Sequence, residues 1–116
     1  MTVCVVIAQR EDTRNVIAAS LKSLGMEVAG LASLGELPSV LEKMPVCGIL
    51  LELATSIKAS RPEKEATNDQ LQLYPFARFK IVGKEIRVLG KGKSLATFVQ
   101  HCRQFTSKNR ESRNLV

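Results

Sequence analysis

No apolar run in this chain approaches the roughly 18 residues that cross a bilayer, and the opening Met1-Thr2-Val3-Cys4 lacks the charged region of a secretory signal. The expectation is a cytoplasmic protein without membrane insertion. Cysteine is scarce. Cys4, Cys47 and Cys102 are odd in number, far apart and embedded in apolar runs, which suits buried reduced thiols better than a disulfide framework. No CxxC or Cys/His cluster occurs, so no metal and no cofactor are expected. His101 is the single histidine and has no nearby Cys, Asp or Ser partner, which makes it a helix-surface residue before a catalytic base. No catalytic residue and no enzyme constellation is found.

What is present is an ordinary globular composition, 45% hydrophobic and 24% charged, over 116 residues, enough for one hydrophobic core. Residues 1–106 read as one α/β domain and 107–116 as a basic tail or a linker to a missing domain. The net charge of +6 is unevenly placed. Residues 1–74 carry seven Lys/Arg against nine Asp/Glu, and residues 75–116 carry ten against two. The basic half raises the local concentration of anions, whether phosphate, nucleic acid or an acidic protein surface; the plain alternative is a solvated face.

Local patterns set the expected order of elements as β-α-β-α-β-α-β-β-α. Thr2 to Ile7 and Val46 to Leu53 are continuous apolar runs, the mark of parallel strands covered on both faces. Between them, Asp12 is placed as a cap for a helix with Ile17, Leu21 and Leu24 inward and Gly25 as its stop. Met26 to Leu31 follows as a strand, and then a helix starts near Leu37 with Pro38 in its first turn, in preference to a start at a Ser33/Glu36 capping box. Ser60-Arg61-Pro62-Glu63 is a second capping pattern, opening a largely exposed helix toward Tyr74. Phe76 to Val82 and Glu85 to Leu89 are separated only by Gly83-Lys84, a length that demands an antiparallel hairpin. A last helix begins near Ser94, with Leu95, Phe98, Val99, Cys102 and Phe105 forming the strongest apolar stripe in the chain. Phe76, Phe79, Phe98 and Phe105 could stack bases among the nearby cations, but Phe98 and Phe105 fit the helical stripe, which makes core the better reading.

The order and spacing of strand one, Arg14, Gly25, and strands two and three resemble the receiver domain of two-component signalling. That resemblance implies a three-layer α/β sandwich with a mostly parallel sheet; the Gly83-Lys84 spacing leaves no room for its fourth helix, so a C-terminal antiparallel hairpin replaces it. It also implies a pocket where carboxylates hold Mg²⁺ and an Asp accepts phosphate. The matching positions here are Ala8, Gln9 and Glu52, with Lys91 at the receiver lysine. Ala8 offers no side-chain oxygen ligand, Gln9 no charge, and Glu52 is a methylene longer than Asp. The implied domain is a pseudo-receiver in which aspartyl phosphorylation fails.

Ile49-Leu50-Leu51-Glu52-Leu53, Tyr74-Pro75-Phe76-Ala77-Arg78 and Cys102-Arg103-Gln104-Phe105 before a basic tail resemble the N-terminal segment of bacterial PilZ-containing proteins. This implies a regulatory or protein-interaction module in bacterial signalling. Its partner would be a PilZ domain or a second copy, and cyclic di-GMP would bind through the attached domain. Arg110 and Arg113 partly resemble the RxxxR linker of such proteins, and Lys93, Arg103 and Lys108 extend the set of candidate anion- or nucleotide-binding residues. The alternative reading is a basic surface that binds a cyclic dinucleotide or nucleic acid directly. Gly92-Lys93-Ser94 matches the end of a Walker loop, but Arg87 stands where its first glycine belongs.

Overall fold

A computed structural model describes residues 2–89 and 94–114, with side chains as far as Thr106. The elements run β1 (Val3–Ile7), α1 (Glu11–Ser23), β2 (Glu27–Leu31), α2 (Leu37–Lys43), β3 (Val46–Glu52), α3 (Leu53–Lys58), α4 (Arg61–Leu71), β4 (Phe76–Val82), β5 (Glu85–Leu89) and α5 (Leu95–Asn114). The strands form one sheet in the order β2-β1-β3-β4-β5. All neighbours are parallel except β4 and β5, whose antiparallel register runs from Arg78–Leu89 to Val82–Glu85. Gly83 takes a positive φ of 64° in the two-residue turn, a conformation that costs glycine little.

Apolar side chains leave both sides of the central strands, so each side is covered by helices. Cys4, Val6, Leu50 and Phe79 meet Ile17 and Leu21 of α1 and Phe98, Val99 and Cys102 of α5. On the opposite side Val5, Ile7, Ile49 and Leu51 meet Leu37 of α2 and Leu71 of α4. The result is helix, sheet, helix.

Several local expectations change. Asp12 does not cap α1; it lies in the first turn, and Arg10 occupies the cap position with no side-chain bond. A carboxylate there favours the positive end of the helix dipole without closing the end. The Ser33/Glu36 capping box does form, but on a 3₁₀ turn at Leu34–Glu36, and α2 then starts at Leu37 with Pro38 in its first turn. The connection from β3 to β4 contains the additional short helix α3. Ser60 and Glu63 form the expected box, with the Glu63 N–H donating to the Ser60 hydroxyl at 3.3 Å. The backbone of the segment read as a basic tail continues as α5 to Asn114. Tyr74 and Phe105 meet as a tilted aromatic pair with ring centroids 5.6 Å apart. Among the described residues, no helix is long and apolar enough to cross a membrane.

Candidate functional site

The connection after β1 and the connection after β3 lead to opposite faces of the sheet, which opens a crevice beyond the carboxyl ends of these strands. A cavity of about 430 Å³ lies there, lined by Gln9, Asp12, Thr13, Glu52, Thr55 and Lys58 among others. Three of the four positions assigned to a vestigial receiver pocket are thus described. Ala8 is wholly buried, its N–H donates to the Leu31 carbonyl at 3.0 Å, and its carbonyl accepts from Arg14 Nη1 at 2.6 Å. Gln9 is exposed, and its backbone carbonyl takes a second bond from Arg14 Nη1 at 3.1 Å. Arg14 therefore clamps the end of β1.

Thr55 organises the crevice. It is 6% exposed, accepts from the Gln9 backbone N–H at 3.0 Å, and donates its hydroxyl proton to Glu52 Oε1 at 2.7 Å. One buried hydroxyl thus joins the end of β1 to the first turn of α3 and holds Glu52 in place. Sequence reasoning missed Thr55 because no motif marks it; its role arises from a contact 46 residues away from Gln9.

The chemistry available here is limited by the donor set. Hard divalent cations require several oxygen ligands, usually including carboxylates. The buried methyl of Ala8 supplies none, and among the described residues no group of three His, Cys, Asp or Glu gathers to hold a metal ion. Glu52 keeps a half-buried carboxylate whose Oε1 accepts from the Thr55 hydroxyl.

Lys91 and Lys93 lie outside the described residues. The geometry that leads to Lys91 nevertheless differs from a parallel receiver strand. Because β5 is antiparallel, its last described residue, Leu89, is level with Arg78 and Leu51, and the strand is heading away from the carboxyl ends of β1 and β3. Arg87, where a Walker loop would need its first glycine, sits within β5 beside Glu85 at 3.5 Å. The Ser94 hydroxyl accepts from the Thr97 N–H at 3.1 Å, capping α5.

Of the candidate anion-binding residues, Arg103 has a described side chain. Arg103 donates from Nη2 to the Leu24 carbonyl at 2.6 Å, fastening α5 to the C-terminal end of α1. Lys108, Arg110 and Arg113 follow along the backbone of α5, and their side chains lie outside the described residues. His101 is exposed on α5, as its position beside the apolar stripe suggests.

A second feature is the uncovered part of the sheet. In β4, Ala77, Phe79 and Ile81 face the layer of α1 and α5. Alternation sends Arg78, Lys80 and Val82 to the other side, where their β5 partners are Leu89, Arg87 and Glu85. Arg78, Lys80, Val82, Glu85 and Arg87 are all exposed. The hairpin also outruns β3, whose last paired residue Glu52 is opposite Phe79. No helix lies between β4 and β5 to cover this side.

No family model, no curated protein and no solved structure matches this chain.

Proposed function

We propose that the chain is a receiver-like, phosphorylation-incompetent regulatory module that works by protein contact in bacterial signalling. The carrying observation is the exposed side of β4 and β5, left without the helix that would otherwise complete the layer. Ala8, Gln9 and the Thr55-bound Glu52 support the second half of this reading, since they leave the crevice without a metal-binding carboxylate set. The partner is a PilZ domain, with cyclic di-GMP bound by that domain and not by this chain.

Two measurements test the proposal. Acetyl phosphate with Mg²⁺ should leave the intact mass unchanged, and a phosphoryl adduct at Glu52 would sink the claim of incompetence. A PilZ domain, supplied separately or fused after Val116, should shift the amide resonances of β4 and β5. Shifts confined to other elements would overturn the assignment of the contact face.

A further inference from the structure

The bare side of the hairpin has a defined shape and charge. The strip comprises Arg78, Lys80, Val82, Glu85, Arg87 and Leu89, three cations against one anion. Its one anion is drawn toward Arg87, with an oxygen 3.5 Å from Nη2, so Arg78 and Lys80 have no acidic partner among the described residues. Val82, 44% exposed, and the half-buried Leu89 supply apolar surface at opposite ends. The seven residues of β4 span about 23 Å at the usual rise of a strand.

That length equals about 15 residues of α-helix, and the two-strand width is about that of one helix. A helix is also what covers every other apolar part of this sheet. The cations require the covering helix to be acidic where it meets them, and the two apolar ends require it to be amphipathic. Nucleic acid fits the charge less well, because base stacking needs a free aromatic face. Phe76, the aromatic residue of β4 on this side, is half-buried and already carries the Arg78 guanidinium 5.4 Å from its ring centroid.

We infer that the uncovered side of β4 and β5 docks an acidic amphipathic helix of a partner protein, which supplies the missing fragment of the outer helical layer. The inference rests on the reading of this side as the contact face and adds the chemistry of its occupant.

The test uses the full chain and a fluorescein-labelled 15-residue peptide built as an amphipathic helix, with glutamates along one side and leucines flanking them. Anisotropy should show saturable binding that weakens about tenfold between low and moderate salt. The triple variant Arg78→Glu, Lys80→Glu, Arg87→Glu should abolish binding, and a peptide with lysine in place of glutamate should restore it. All three positions are exposed, so the restored binding also reports that the variant is folded. Glu85→Lys should tighten the acidic peptide several-fold. A scrambled peptide of equal composition that binds as well, or no binding at all, overturns the inference. So does a 15-nucleotide oligothymidine that binds more tightly than the peptide, which would make the strip a nucleic-acid surface. Failure of the peptide with β4 and β5 still shifted by a PilZ domain would remove the helix and leave the contact face.

Discussion

Gly48 on β3 and the Cys102 thiol on α5 face each other with no room for a methyl group between them. A Cβ on Gly48 would collide with Cys102 Sγ and come within 3.0 Å of Phe98 Cζ. The helix can lie this low on the sheet because the strand beneath it has no side chain. Gly48→Ala should therefore destabilise the chain by about 1–3 kcal/mol, the usual cost of overpacking a filled core. Thermal unfolding would show a fall of several degrees. Removing Sγ with Cys102→Ala in the same chain should recover part of the loss, and strict additivity would show that the two residues do not compete for space.

All three cysteines converge beneath α5 and are free and buried. The neighbouring Cys102 thiol, with burial, pushes the Cys47 thiol well above its ordinary range. Contact with Cys4, opposed by Cys47 and aided by burial, pushes Cys102 up to about 12. Thiols held protonated are poor nucleophiles. Ellman's reagent at pH 8 should label none of the three in the folded chain and all three in denaturant. Because the folded pKa is raised, the stabilisation is complete below the unfolded thiol pKa of about 8.5 and is lost as pH rises toward 12. Urea midpoints should decline over this window less steeply in Cys102→Ala than in the parent chain.

Glu63 ties α4 to the turn before α2. Its carboxylate accepts from the Ser60 hydroxyl at 3.0 Å and from the Gly35 N–H at 3.0 Å. The Ser60 hydroxyl first, then the backbone N–H groups of Ser60 and Gly35, hold its carboxyl below the usual range. A lowered carboxyl pKa stabilises the fold above the unfolded value of about 4.3, and that contribution disappears as pH falls through the folded value. Glu63→Gln should therefore melt below the parent at pH 7, and the two melting curves should converge in acid. A gap that persists at the lowest pH would remove the charge from the explanation.

Thr55→Val keeps the shape of a buried side chain and deletes the hydroxyl that serves Gln9 and Glu52. The Gln9 N–H then loses its partner, which should cost roughly 1–3 kcal/mol in urea denaturation. Thr55→Ser retains the hydroxyl and should lose less. Equal losses in the two variants would show that the methyl group, not the hydrogen bonds, matters at this position.

Much of the framework was legible along the chain. The runs Val3–Ile7 and Val46–Glu52 are strands because apolar residues without interruption suit a sheet buried on both sides. The two residues between Val82 and Glu85 permit only an antiparallel hairpin, and the stripe Leu95, Phe98, Val99, Cys102 turns one side of α5 toward the core. These signals are local: each depends on periodicity or loop length within a few residues.

The crevice was legible only in part. Ala8, Gln9 and Glu52 could be placed at strand ends from the apolar runs and the receiver resemblance, and Ala8's lack of a side-chain oxygen could be seen at once. Which polar group would hold Glu52 could not, since Thr55 acquires its second role only when β1 and β3 align in parallel. Arg103, read as a candidate for anions, instead donates to Leu24 across 79 residues of chain. Glu63 reaches Gly35 across 28 residues, and three separated cysteines share one part of the core. Periodicity and capping chemistry thus determined the elements, because their energies arise among near neighbours. Only the tertiary structure decided which carbonyls, thiols and carboxylates meet, because those pairings depend on strand order, register and the low seat of α5 above Gly48.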